Sequence, residues 1–240
     1  MAVEAREVPA LPSGYRPTGA RTTWTIVLLS LTGALAVFSV FSTLEFLDLL
    51  NKLERNEPVT GLDLVAAGER MDQLDVMSII FTLAAGIPFL MWFHCMYKNL
   101  VPLGADLLRF GTGWAIGGWF VPILGLWRPK QIANDIWRAS DAEWPREMGI
   151  RWQGTPVPAW IGLWWALYLL SESLMRWAAK SFDTATTLEA VQGATKWAIA
   201  AYVAWFGGAA LAILLVVKMT SHQERRAAMF AGPLDAGRVS

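Results

Sequence analysis

The chain has 240 residues, 55% of them hydrophobic, and its 20 Lys and Arg balance 20 Asp and Glu to a formal net charge of zero. A mean hydropathy of +0.38 is too high for an ordinary soluble domain and points to a bilayer as the solvent. The charge balance excludes a partner such as nucleic acid, and the single cysteine, Cys95, excludes an intrachain disulfide.

In chain order, residues 1–22 carry Pro9, Pro12, Gly14 and Pro17 among scattered charges, a composition that predicts a disordered cytoplasmic tail. An apolar stretch over 24–48 follows; it is longer than a signal-peptide core and has no small-residue cleavage site, so it reads as a retained membrane helix that continues to about 55. Asp48 and Lys52 have the i,i+4 spacing of a helical ion pair. Thr60 and Asp63 have capping-box spacing and open a helix over 61–98. Along it Leu64, Ala67, Met71, Leu74, Ser78, Phe81 and Ala85 recur at three- and four-residue steps and form one seam. Further on, apolar stretches over 159–179 and 197–217 predict two more spans, the last helix covering 187–219 after a possible capping box of Thr186 and Glu189. Residues 220–240 read as a flexible cytoplasmic tail. Two stripes of small residues, Ala204, Gly208 and Ala212, and Ser78, Thr82 and Gly86, mark faces on which helices approach closely.

The segment GWAIGGWFVPILGLWRPKQIANDIWRAS, from residue 113, poses the topological question. Only 18 uncharged residues separate Arg109 from Arg128, a helix of about 27 Å, marginal for a crossing, and glycines and Pro122 interrupt it. Short cytoplasmic loops carry an excess of Lys and Arg. If residues 111–127 enter and return, fourteen of the 20 cations lie inside; if they cross, eight do. The reading is therefore a re-entrant segment, with both termini cytoplasmic. Pro129 then opens an interfacial amphipathic helix over 129–141, with Ile132, Ala133, Ile136 and Trp137 opposite Lys130, Gln131, Asn134, Asp135 and Arg138. The predicted fold class is an all-α polytopic membrane bundle with four transmembrane helices, one re-entrant segment and one interfacial helix.

The residues Trp119, Phe120, Pro122, Leu126, Trp127, Arg128, Pro129 and Trp137, with Asn99 and Gly104 upstream, make the chain resemble the bacterial integral-membrane family described as domain of unknown function 4328. The motif covers about fifty residues, and the hydropathy layout is similar over 24–218. Many relatives carry an arginine near the end of the second helix, where this chain has His94, Cys95, Met96, Tyr97 and Lys98. The resemblance implies a membrane architecture in a bacterial inner (plasma) membrane and leaves function open.

Candidate functional residues are few. Glu172, inside the third apolar stretch, has Arg176 one turn later, which suggests either an ionisable relay or a neutralised pair near the outer leaflet. His94 is the one membrane-embedded histidine and reads as a polar residue bonded near the cytoplasmic interface. Arg128, Lys130 and Arg138 suit an anionic lipid headgroup, with ordinary positive-inside charge as the equal alternative. Trp24, Trp92, Trp127, Trp160, Trp177 and Trp197 fall near helix ends as interfacial anchors, while Trp114, Trp119, Trp164, Trp165 and Trp205 lie deeper. No zinc-ligand cluster, haem ligand pair or catalytic motif is present, so no cofactor and no enzymatic activity are expected. The expected function is a non-enzymatic interaction or assembly module whose partners are membrane lipids and another membrane protein or itself. The alternative is a small-solute, ion or lipid pathway built around the re-entrant segment.

Overall fold

The computed structural model describes residues 11–105, 107–145 and 149–230, and no strand occurs among the described residues. The helices are α1 (Gly19–Glu54), α2 (Gly61–Lys98), α3 (Trp114–Gly117), α4 (Arg128–Ala139), α5 (Ala159–Thr184) and α6 (Leu188–Phe230), with 3-10 turns at Leu124–Leu126 and Arg151–Gly154. Two compact units result. One takes residues 20–89 and 158–216; the other takes the described residues up to 19, those from 90 to 157, and those from 217 onward.

The first unit is a four-helix bundle in which α1 shows an inverted pattern of burial, while Trp164, Trp165 and Tyr202 of α5 and α6 are buried. Helix α1 buries Thr32, Gly33, Ala36, Ser39, Ser42 and Thr43 and exposes Phe38 and Phe41 by 63% and 66%. The hydroxyl of Thr43 donates to the Ser39 carbonyl at 2.7 Å, whereas the buried Ser39 and Ser42 hydroxyls on the same face have no hydrogen-bond partner among the described residues. Large apolar side chains outside and small ones inside are what hydrocarbon favours, because helices in lipid associate through close van der Waals fit. Helices α1, α2 and α6 are long and apolar enough to cross a membrane. Helix α5 does not join that set: its 26 residues would extend about 39 Å, but tryptophans, serines and a Glu-Arg pair dilute its hydropathy.

The small stripe on α6 is used as its spacing predicts. Ala204, Gly208 and Ala212 are buried, and a Cβ added at Gly208 would lie 3.8 Å from the backbone nitrogen of Tyr168 on α5. On the neighbouring side a Cβ at Gly33 of α1 would lie 3.7 Å from Ala209 Cβ. The α2 stripe differs: Ser78 is buried, Thr82 is exposed, and Gly86 has no neighbouring heavy atom within 4 Å of an added Cβ. The α2 seam holds throughout, each of its seven residues being buried or half-buried. Both halves of the Thr60 capping box form, with Asp63 N–H donating to Thr60 Oγ1 and Thr60 N–H to Asp63 Oδ2, each at 3.1 Å. Lys52 reaches Asp48 at 2.7 Å.

Three boundaries need correction. The last helix does not stop at 219 but continues to Phe230, because Gln223 and Arg226 find buried partners; residues 231–240 lie outside the described residues. The N-terminal segment is ordered before 22: α1 starts at Gly19, and the Arg16 backbone is held on both sides by the Asn99 amide at 3.0 and 2.8 Å. The prediction for residues 1–10 concerns positions outside the described residues. At α6 the cap is Thr187, whose hydroxyl accepts the Ala190 N–H at 3.2 Å, so the Thr186–Glu189 spacing misplaces it by one residue.

Residues 111–127 form no continuous helix. One turn at Trp114–Gly117 is followed by the 3-10 turn at Leu124–Leu126, and a Cβ at Gly125 would lie 3.5 Å from the carbonyl oxygens of Gly118 and Trp119. The chain doubles back on itself between 118 and 125.

The close α5–α6 contact gives a graded test. Gly208→Ala adds a methyl at ordinary contact distance and should leave thermal stability in mild detergent near that of the parent. Gly208→Leu should overpack the contact and cost about 1–3 kcal/mol, read as a lowered unfolding temperature.

Candidate functional site

The second unit concentrates the polar chemistry. Its fixed point is Arg226, 0% exposed, near the end of α6. A buried guanidinium is tolerated only when its donors are satisfied. Nε donates to the Leu103 carbonyl at 2.9 Å, one terminal nitrogen to the Asp141 and Trp144 carbonyls at 2.8 and 2.9 Å, and the other to the Pro145 carbonyl at 3.1 Å. One side chain thus ties down the turn after α2 and the turn after α4. One helical turn earlier, Gln223 donates to the Met96 carbonyl at 3.0 Å and to Ser140 Oγ at 3.4 Å, and its oxygen accepts from Asn99 at 3.0 Å. The turn following α2 needs Gly104, whose φ of +92° is a left-handed conformation costly for other residues.

The end of α2 pins the start of the glycine-rich segment. His94 Nδ1 lies 3.0 Å from the Thr112 carbonyl, a geometry that places the proton on Nδ1. The Tyr97 hydroxyl both donates to the Phe110 carbonyl and accepts its N–H, each at 3.2 Å. Trp119 sits edge-on to Phe93 with centroids 6.1 Å apart.

Helix α4 starts at the Trp127 N-cap with Pro129 in its first turn, as its sequence predicts. Its apolar face does not meet lipid, however: Ile132, Ala133 and Ile136 are fully buried within protein. Asp135, assigned to the polar face, is also fully buried, because Arg109 reaches across to it in a forked ion pair at 2.6 to 3.1 Å. Burial pushes the Asp135 carboxyl above its ordinary range, and the Arg109 guanidinium opposes that shift.

The sequence candidates separate accordingly. Trp137 stacks on His222 at 4.4 Å and 14°. Arg138 donates to the Thr155 carbonyl at 2.7 Å, which removes it from a shared cationic site. Lys130 is half-buried, two residues from Arg128 and therefore on a different side of α4. Arg128 lies with its guanidinium 3.8 Å from the Phe110 ring centroid and 5.5 Å from that of Trp114. Pro122, Trp127 and Phe120 are exposed. In the bundle unit, Glu172 and Arg176 form the neutralised pair at 3.4 Å, both side chains turned outward from α5. Trp92 is no interfacial anchor: it is fully buried, and its Nε1 donates to Thr220 Oγ1 at 3.0 Å. Sequence reasoning missed Arg226, Gln223 and the Arg109–Asp135 pair. No local signal marks the first two, since their partners are 81 to 127 residues away.

An all-helical chain with three membrane-length apolar helices and an internally bonded polar unit is a membrane-protein architecture. Within that class the chain belongs to the family described as domain of unknown function DUF4328, which matches residues 56–221. No curated protein and no solved structure matches it.

Removing Arg109 should hurt more than neutralising its partner. Arg109→Ala strands a buried carboxylate and should cost about 3 kcal/mol, whereas Asp135→Asn should cost less. Because the stranded carboxyl titrates above its unfolded value, the Arg109→Ala deficit should be full at neutral pH and shrink as pH falls through that raised value toward about 4. Thermal unfolding of both variants across pH measures this. Arg226→Lys, whose ammonium cannot span four carbonyls, should lower stability by about 3 kcal/mol in the same assay.

Proposed function

We propose that the protein is a non-enzymatic assembly module of the bacterial plasma membrane, joining a second copy or another membrane protein through the open face of α2. In this reading α5 is a fourth crossing, residues 111–127 enter from the cytosol and return, and both chain ends are cytoplasmic. The observation that carries the assembly reading is the contrast between two small-residue stripes. That of α6 is filled by α5, whereas Thr82 and Gly86 of α2 stand open, flanked by exposed Ile79, Leu83 and Ile87. Glycine at such a face lets a second helix approach closely in lipid. The doubling back at Gly118 and Gly125 supports the re-entrant reading, since a segment so folded is too short to cross. The pathway reading gains nothing from Glu172, which faces outward in its pair with Arg176.

Gly86→Leu fills open space and should leave the fold intact while abolishing a complex that the parent retains in mild detergent, as read by native mass spectrometry and crosslinking. A parent protein that is monomeric and uncrosslinked would sink the assembly reading. In a Cys95→Ser background, Ser13→Cys should react with an impermeant thiol reagent only from the cytosol and Glu57→Cys only from outside; labelling of both from one face would overturn the topology.

A further inference from the structure

Beside α3 lies an open groove of about 450 Å³ lined by Gly111, Gly113, Trp114, Gly117 and Val121. Three of these five residues are glycines, so the floor is bare backbone, and its walls are an indole and an aliphatic side chain. No charged group lines it. The same Trp114 also flanks the Arg128 guanidinium, which therefore stands at the edge of the groove.

Arg128 is placed with unusual firmness for a cation that has no ion-pair partner among the described residues. Its stem rests on Gly118: a Cβ there would come within 2.8 Å of Arg128 Cγ and 2.7 Å of the Trp114 carbonyl oxygen, so glycine is required. Its guanidinium faces the Phe110 and Trp114 rings, which attract it through their quadrupoles, and its Nε is buried with no acceptor among the described residues. The buried acid of α4, Asp135, is bound to Arg109. Five exposed side chains of the same segment, Phe120, Val121, Ile123, Leu126 and Trp127, are apolar, as a surface against hydrocarbon would be.

We infer that this groove binds one anionic phospholipid, an acyl chain lying on the glycine floor and the phosphate accepting hydrogen bonds from Arg128. The occupant must be apolar along the groove and anionic at one end, which matches a lipid and mismatches a soluble anion. A zwitterionic headgroup would bring an ammonium to a place where the local carboxylate is already committed, so the net negative charge of the headgroup is part of the recognition. Arginine suits the phosphate because its planar fork can donate two parallel bonds. Lys130 and Arg138 take no part. Binding here does not depend on assembly through Thr82 and Gly86 of α2, which belong to the other compact unit.

Two variants and three probes test the inference on the full chain in mild detergent. Gly117 has no heavy atom within 4 Å of an added Cβ, so Gly117→Leu obstructs the groove while leaving the fold its contacts; Arg128→Gln removes the charge. Phosphatidylglycerol in mixed micelles should raise the unfolding temperature of the parent and persist on it in native mass spectrometry. Each variant should need about tenfold more of that lipid for the same shift. Phosphatidylcholine at equal concentration should be at least about tenfold weaker, and inorganic phosphate should give no shift. Equal response of parent and both variants, equal response to the two lipids, or a full shift with inorganic phosphate alone would each overturn the inference. Folding of each variant is read from its unliganded melting transition; if Arg128→Gln fails to fold, Gly117→Leu and the lipid comparison decide.

Discussion

Four carbonyl oxygens and one guanidinium hold the polar unit together. Arg226 could not be buried without them, since an unpaired charge in a low-dielectric interior is prohibitive. Conversely, the carbonyls of Leu103, Asp141, Trp144 and Pro145 belong to turns whose backbone groups have no helical partners to use. The arrangement suits arginine alone: five donors in a rigid plane serve several acceptors at once, and the charge is dispersed over dipoles instead of being cancelled by a carboxylate. Gln223 extends the same logic one turn earlier with a neutral amide that donates twice and accepts once. Because α6 supplies both residues, the ordering of the turns after α2 and α4 is coupled to the last two turns of α6.

The bundle unit solves a different problem. Its helices cannot gain from hiding leucine and phenylalanine if the surroundings are as apolar as the interior, so they gain from fit. Gly33 against Ala209 and Gly208 against the Tyr168 backbone bring helix axes close, and the buried threonine hydroxyls of Thr32 and Thr43 on α1 bond back to their own helix. Helix α1, organised this way, reads as inside-out by the rules of water-soluble proteins, and that inversion ties its composition to its solvent.

Local features were legible in the sequence and distant ones were not. The Thr60–Asp63 capping box, the Asp48–Lys52 pair and the α2 seam depend on spacings of three, four and seven residues, which helical geometry fixes in advance. The start of α4 at Trp127 and Pro129 was legible for the same reason. Asp135 was misread because amphipathic patterning assigns carboxylates to solvent, and only the fold reveals that Arg109 stands 26 residues upstream to receive it. The tail beyond 219 was misread because polar composition there was taken for solvation, when its polar residues were partners for backbone elsewhere. At α6 two adjacent threonines offered equal capping chemistry, and tertiary placement chose Thr187.

Arg109 and Arg128 show how little residue type alone decides. Both flank the glycine-rich segment, and both guanidiniums lie near the Phe110 ring, at 5.6 and 3.8 Å from its centroid. Arg109 has a buried carboxylate within reach, and the pair becomes a structural strut whose charge is cancelled inside the protein. Arg128 has rings instead. An aromatic face orients a guanidinium and lowers the cost of partly desolvating it, but a quadrupole does not cancel a full charge. Among the described residues, Arg109 is therefore paired with a carboxylate and Arg128 is not. That asymmetry arises from one aspartate of α4, and it determines which end of the segment presents a cation unpaired among the described residues beside an apolar surface.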